Sequence, residues 1–551
     1  MEESKKLVVL VAIDGWGIAP GSHGNAISEG NTPNMDSFWA SYPHTELGAA
    51  GEAVGLPRGE DGNSETGHLN LGAGKIVYQY LARINMSIAD GTFFVSPSLL
   101  GIVEHAKKHN SKIHLMGLVG SGGVHSNIEH LFALIHFCAT QKLSSVFIHA
   151  FTDGRDSPPT VAESYIQQID EATKKEGVGK IASVMGRYWA MDRDRRWDRT
   201  AKAYFALTKG DGILVGSAEE AVRRSYAKGA TDEFIEPSVV VGEHGKPLAL
   251  IEDNDVVIFF NFRIDRPRQL SRAFLMPEVA PDESEWGFDP YLDLYGEKHV
   301  DKKANEIPAF ERGKKIQNLY FAIMTEYEKP LTTLGAKVVF SPEIIEMPIG
   351  RVISMYGLRQ LRMAESEKER FVTYYFNGRR EEPFPGEDRV IIPSPKVATY
   401  DLKPEMSSYE LTDALLEKLG SGEYNFVFVN FAAPDMVAHT GNIEAAKKAV
   451  VAVDECIGRL SRFILDYGGY LLITADHGNA EEMLDLSTGE VDTEHSVNNV
   501  PLIVISKEYL SKQRTLSRGV LGDVGPTVLN LLEIPVPSSM IGRDLLRELG
   551  Y

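Results

Sequence analysis

Three apolar runs, each leading to an aspartate, constrain this chain more than any other feature. "KLVVLVAID" ends at Asp14, "NFVFVNFAAPD" reaches Asp435 just past its run, and "GYLLITAD" ends at Asp476. Continuous runs without polar alternation fit strands buried on both faces, the situation of parallel sheets. A second set, "KIHLMGLVG", "SVFIHAFTD", "KIASVMG" and "DVVIFFNF", occupies the middle of the chain. Helical patterns over 161–176 and 443–466 fall among these runs, so the fold class is α/β with largely parallel sheets. In open α/β sheets ligands bind beyond the carboxyl ends of the strands, which would bring three aspartates far apart in sequence to one site. Aspartates also end strands and cap helices, an explanation that serves any one of them better than all three.

At 551 residues the chain exceeds what one core normally serves, and two domains are expected. A net charge of −20 speaks against nucleic acid or a membrane surface as partner, since both need a basic field. Two cysteines, Cys138 and Cys456, without CxxC spacing, suit the reducing cytoplasm and leave no thiolate metal site. The N-terminal apolar run is seven residues long and stops at Asp14, too short for a membrane span and lacking a cleavage site. Residues 277–314, rich in Pro, aromatic and charged side chains without periodicity, read as a surface excursion or linker.

Chemistry enters with the histidines. Asp435 and His439, four apart, share one face if "PDMVAHTG" is helical; His477 adjoins Asp476, and His495 follows in "DTEHSVNNVP". A lone histidine is more often structural than a ligand, but here Asp14 and Ser64 bring the donors to seven, too many for one tetrahedral ion and suited to two. Carboxylate and imidazole without thiolate favour Mn²⁺, Zn²⁺ or Mg²⁺, and paired ions stabilise the attacking and leaving oxygens of phosphoryl transfer. Ser64 lies within "EDGNSETGHLNLGAGK", where the lysine does not follow the glycines directly as it does in a nucleotide-binding loop. The alternatives for this serine are a helix cap and a hydroxyl made nucleophilic by a bound ion. In an acidic chain, "GRYWAMDRDRRWDR" and "NFRIDRPR" concentrate the guanidinium forks that match carboxylate and phosphate oxygens.

Taken together, "VAIDGWG", "GNSETGHLNLGAGKIVYQ", "GSGGVHSNIEHL", "FTDGRDSPP", "MGRYWAMDRDRRWDR", "NFRIDR", "PDMVAHTG" and "TADHGNAE" resemble the cofactor-independent phosphoglycerate mutases in order and spacing, over nearly the whole chain. "TADHGN" alone marks only the wider alkaline-phosphatase superfamily. The resemblance implies an alkaline-phosphatase-like metal domain from residues 1–78 and 343–551, with an α/β phosphoglycerate-transferase domain, 79–342, inserted and closing on hinges near 79 and 342. It implies two divalent ions, Mn²⁺ foremost and Mg²⁺ or Co²⁺ as alternatives. One ion would sit on Asp435, His439 and His495, the other on Asp14, Ser64, Asp476 and His477. Ser64 matches the serine phosphorylated while 3-phosphoglycerate and 2-phosphoglycerate interconvert without bisphosphoglycerate, and Lys368, in "AESEKERF", matches a lysine that meets the phosphate.

By the same motifs His125, Arg155, Asp156, Arg187, Arg193, Arg263 and Arg266 hold substrate, with Asp156 also the acid/base candidate; Arg195, Arg196 and Arg199 are set aside as partners of the interspersed aspartates. A monomer is implied. Two departures stand out: Asp61, where the family more often has an apolar residue, and the length of the 277–314 excursion. A metal-dependent phosphomonoesterase, a phosphopentose mutase and a non-catalytic anion- or metal-binding protein are the competing readings. "FTDGRDSPP" with "NFRIDR" disfavours the second of these, and the filled ligand positions disfavour the third.

Overall fold

The computed structural model describes residues 6–279, 309–486, 488–510 and 515–547, so most of the 277–314 excursion lies outside the described residues. The chain divides into two compact units, Met1–Gln79 with Glu343–Tyr551, and Tyr80–Pro342. Both are α/β. Among the described residues no helix is long and apolar enough to cross a membrane.

In the first unit, Val8–Ile13 is entirely buried, as its unbroken apolar run requires. It pairs in parallel with Phe426–Phe431 on one side and Tyr470–Thr474 on the other. Gln360–Glu365 adds in parallel to the far edge of Phe426–Phe431. Beyond Tyr470–Thr474 the sheet turns mixed, because Val500–Ile505 runs antiparallel both to it and to His44–Gly48. The helix expected over 443–466 spans Ile443–Tyr467. Its start is fixed by Asn442, whose side chain accepts from the Ala445 amide, and its end by Gly468, at φ +86°. Ala446, Ala449, Val450, Val453, Ile457, Leu460 and Ile464 form its buried stripe.

The second unit holds its own sheet, in the order Lys337–Phe340, Tyr320–Thr325, Val256–Phe259, Ile113–Val119, Val146–Thr152, Lys180–Gly186, Ser238–Val240, Ile213–Val215. Alternate residues of one strand enter different cores: Ile113, Leu115 and Val119 on one face, Met116 and Leu118 on the other. That is why the run shows no polar alternation. The run "DVVIFFNF" yields a strand only over Val256–Phe259. It stops there because Tyr327 Oη donates to the Phe259 and Asn261 carbonyls, and the Asn261 side chain accepts from the Leu118 amide, which turns the chain out of the sheet. A polar ladder crosses the same sheet, from Asp255 to His114 Nε2 at 3.3 Å, His114 Nδ1 to His149 Nε2 at 2.9 Å, and His149 Nδ1 to Ser183 Oγ at 2.8 Å.

Glu365 closes the strand Gln360–Glu365 fully buried, accepting from the Ser407 amide at 3.0 Å. Burial pushes its carboxyl up to about 7. The folded state therefore holds a proton that the unfolded state gives up near pH 4.5, and this group's contribution to stability falls as pH rises from that value through about 7. Glu365→Gln should remove that dependence. Its melting temperature relative to the native protein should climb between pH 5 and pH 8 by on the order of a few degrees in calorimetry; a difference that stays flat would mean that Glu365 is ionised in the fold.

Candidate active site

Four adjacent parallel strands of the first unit deliver four charged side chains to their carboxyl ends. Asp14 follows Val8–Ile13, Asp476 follows Tyr470–Thr474, Asp435 follows Phe426–Phe431, and Lys368 ends a short turn after Gln360–Glu365. Asp435 opens onto the helix Ala433–Ala438, which His439 caps, so the four-residue spacing does place both on one face. Ser64 is the first residue of the helix Ser64–Ala73, and the N-cap is Asn63, whose side chain accepts from the Thr66 amide at 3.0 Å. The serine is thus released from capping, and its hydroxyl sits at the positive end of the helix. Gly67 lets that helix lie against the Asp476 strand end: a Cβ there would stand 2.4 Å from the Asp476 carbonyl oxygen.

Ser64 Oγ is 2.9 Å from His477 Nε2, 2.9 Å from Lys368 Nζ and 3.3 Å from Asp14 Oδ1. Lys368 Nζ also reaches Asp14 at 2.8 Å and Asp435 at 2.9 Å. Burial works against its charge, but Asp14, Asp435 and Asp476 outweigh it and raise its proton affinity above the ordinary lysine value. On one side His439 Nε2 and His495 Nε2 stand 3.3 and 3.4 Å from Asp435 Oδ1 and 3.1 Å from each other. On the other, His477 Nε2 is 3.4 Å from Asp14 and 3.5 Å from Asp476. Each ring turns its Nδ1 to a main-chain carbonyl, His439 to Thr493 at 2.7 Å, His477 to Gly478 at 3.2 Å and His495 to Gly62 at 2.9 Å. With Nδ1 so engaged, the three Nε2 atoms are the ones that face the carboxylates.

The donor set fits divalent cations. Asp14, Asp435 and Asp476 are all but completely buried, and Lys368 alone among them carries a fixed positive charge, which leaves two negative charges to offset. An uncompensated buried carboxylate costs several kcal/mol. Asp476 Oδ2 is buried with imidazole nitrogens beside it, His68 Nδ1 at 3.2 Å and His477 Nε2 at 3.5 Å. Donor atoms of Asp14, Asp476 and His477, and of Asp435, His477 and His495, lie within 4.8 Å of one another in two groups that share His477. His477 is pushed up to about 10, since its carboxylate neighbours, Asp476 first, overcome its burial. In other words, this pocket draws positive charge from whatever source is present.

In the second unit the carboxyl ends of four neighbouring parallel strands carry an arginine-rich cluster. Arg187, buried, is paired with Asp153 and Asp156. Arg193 Nη1 meets Asp265 at 2.7 Å, Arg263 Nε meets it at 3.3 Å, and His125 lies 3.6 Å from Asp265 and 3.9 Å from Asp156. Arg266 donates to the Met191 carbonyl, and the Nε atoms of Arg187 and Arg266 are buried without hydrogen bonds. Burial, then Arg187 and Arg193, push the Arg266 guanidinium down to about 10. His125 is pushed down to about 3 by burial, with Arg187, Arg263 and Arg266 adding to it, and is neutral. Arg155 stands apart, 55% exposed and 3.5 Å from Glu233. Arg196 pairs with Asp194, and Arg199 stacks on Tyr188 at 3.6 Å. Burial raises the Asp61 carboxyl above its ordinary value, Glu494 and Asp492 raising it further and His495 opposing them.

A family model described as BPG-independent PGAM N-terminus matches residues 84–329. A 2,3-bisphosphoglycerate-independent phosphoglycerate mutase of Moorella thermoacetica is 49% identical over 539 residues, covering 98% of each chain. The chain belongs to this family. The enzyme of the same name from Chloroflexus aggregans is 48% identical over 546 residues, again covering 98% of both. A crystal structure of Leishmania mexicana phosphoglycerate mutase at low cobalt concentration superposes with a TM-score of 0.60 at 28% identity, covering 98% of each chain. As a BPG-independent phosphoglycerate mutase the chain is an isomerase.

Sequence reasoning passed over several residues that build these clusters. His68, one helical turn after Ser64, sends Nδ1 to the Ser64 carbonyl at 2.9 Å and stands 3.2 Å from Asp476. Asn430, the one polar side chain in "FVFVNF", donates to Asp14 at 2.7 Å and lies 3.1 Å from His68 Nε2. Asn479 donates to Asp435 at 2.8 Å. A polar residue inside a buried strand and a histidine on the serine's own helix face were the available signals. The Gly67 contact is directly testable: Gly67→Ala must push the Ser64 helix from Asp476 and is expected to destabilise the protein by about 1–3 kcal/mol in denaturant melts. Native stability in that variant would show that the approach is not tight.

Proposed function

We propose that the chain interconverts 3-phosphoglycerate and 2-phosphoglycerate through a phosphoserine on Ser64, with no bisphosphoglycerate and with two divalent ions, Mn²⁺ foremost. The observation that carries this reading is the placement of Ser64 Oγ, at a helix N-terminus within 3.3 Å of Asp14, His477 and Lys368 at once. Asp435, His439 and His495 would hold one ion and Asp14, Asp476, His477 and Ser64 the other. Such ions, when bound, lower the proton affinity of a hydroxyl and neutralise phosphoryl charge.

Ser64 Oγ, its proton given up beforehand, attacks phosphorus and forms the P–O bond of phosphoserine while the bond from phosphorus to the glycerate 3-oxygen breaks, and that oxygen takes a proton from Asp156. Lys368 Nζ, 2.9 Å from Oγ, donates to the phosphoryl oxygens as their charge spreads. Main-chain N–H groups at the start of Ser64–Ala73 favour the same anion. Glycerate stays held by His125, Arg187, Arg193, Arg263 and Arg266, the guanidinium forks of the arginines matching its carboxylate, and Arg155, which stands outside this cluster, would have to turn toward it to join them. Asp156 moves a proton between the two glycerate hydroxyls, and Arg187, against its carboxylate, keeps it oriented. Attack by the 2-hydroxyl on phosphoserine gives 2-phosphoglycerate and restores Ser64. If water were the acceptor instead, the same residues would make a phosphatase.

The test is an assay on Mn²⁺-reconstituted protein, given 3-phosphoglycerate without bisphosphoglycerate, with 2-phosphoglycerate and free phosphate followed in parallel. Isomerisation with little phosphate release, lost by at least about 10³-fold in Ser64→Ala, is expected; phosphate release without isomerisation would hand the function to the phosphatase reading. Chelation should abolish turnover and added Mn²⁺ restore it. Lys368→Met should lower kcat by about 10²–10³-fold, and full activity in that variant would remove the lysine from the mechanism.

A further inference from the structure

Asp265 is part of "NFRIDR" but was assigned no role by the motif, and it lies in the turn between the strand Val256–Phe259 and the helix Arg268–Leu275. Its carboxylate is only 2% exposed, yet it meets groups from three separate segments. Arg193 Nη1 reaches it at 2.7 Å from the loop before the helix Trp197–Thr208, Arg263 Nε at 3.3 Å from its own turn, and His125 Nδ1 stands 3.6 Å away in the loop after Ile113–Val119. The main chain ties two of these segments together as well, through the Phe262 amide to the His125 carbonyl at 2.9 Å.

We infer that Asp265 is a positioning residue, whose buried carboxylate holds Arg193 and Arg263, beside His125, in the arrangement that receives a phosphorylated hydroxy acid; this rests on the substrate reading given above. The physical reason is the crowding of guanidinium groups. Arg187, Arg193, Arg263 and Arg266 surround one small region, and arginine does not shed its charge at working pH. Like charges held this close repel, so long side chains with many rotamers would splay toward solvent unless an anion fixes them. Asp153 does this for Arg187, and also accepts from the amides of Arg155 and Asp156. Asp265 does it for the other half of the cluster. The proton affinity of Arg266 records the excess charge: burial lowers it first, Arg187 and Arg193 lower it further, and Asp265 opposes them.

A carboxylate inside an anion site has two opposite effects, and their sign is measurable. As mere charge balance it weakens anion binding, and its removal would tighten the site. As a positioning group it strengthens binding, and its removal would loosen the site. Asp265→Asn keeps the shape and removes the charge. Calorimetric titration of metal-stripped protein with 3-phosphoglycerate is expected to show affinity about 10–100-fold weaker in Asp265→Asn. On Mn²⁺-loaded protein KM should rise by a similar factor with kcat within about threefold of native.

Asp265→Glu, which keeps the charge but moves it by one methylene, should also weaken binding, and it stands in should the Asn variant fail to fold in a thermal melt. Equal or tighter binding in Asp265→Asn, or native affinity in Asp265→Glu, would overturn the positioning role while leaving the substrate reading intact. Native Mn²⁺-loaded protein that turns over no 3-phosphoglycerate would instead overturn the substrate reading itself.

Discussion

Main-chain hydrogen bonds join Val8–Ile13 to Phe426–Phe431 along one edge and to Tyr470–Thr474 along the other. The first described strand of the chain thus needs two strands from the far end before it has a sheet to belong to. In-register parallel pairing sets the carboxyl ends of the three side by side, and this is what turns Asp14, Asp435 and Asp476 from three unrelated strand ends into one cluster. A slip of one residue would send each side chain to the opposite face, where the unlike volumes along Val8–Ile13 would no longer match the close-packed core on either side. The geometry of the charged groups is therefore inherited from apolar packing.

That inheritance has an electrostatic consequence. Folding drives three carboxylates into the interior against a desolvation cost, offset within the chain by Lys368 and by hydrogen bonds from Asn430 and Asn479. The second unit does the reverse. It gathers arginines at its strand ends and steadies them with Asp153 and Asp265. A chain of net charge −20 thus carries one cluster that attracts cations and one that attracts anions, each at the strand ends of its own parallel sheet. The identity between the chain and its phosphoglycerate mutase relatives, close to half of all positions, gives each cluster a chemical context.

Much of this was legible in the residues. The apolar runs gave strands because buried parallel strands show no polar alternation, and the helical pattern over 443–466 matched Ile443–Tyr467 to within a residue, where the structure ends it with Asn442 and Gly468. The i,i+4 spacing of Asp435 and His439 gave their common face. "DVVIFFNF" misled by its length, since the strand ends where Tyr327, from sixty-odd residues away, captures its carbonyls. A partner so distant leaves no local trace. His68 and Asn430 were passed over for a similar reason: a single histidine or asparagine has no period, and its value lies wholly in what it touches.

The sequence by itself determined the α/β class, the residue types available for chemistry and the family, because these rest on hydrophobic pattern and on motifs read in order. Tertiary structure alone decided that Asn63, and not Ser64, caps the helix, that three imidazoles turn their Nε2 atoms inward, and that Arg155 stands off while Asp265 anchors its neighbours. Hydrogen-bond direction and charge pairing act over about 3 Å, and distances of that order between residues hundreds apart in the chain exist only once both sheets have formed.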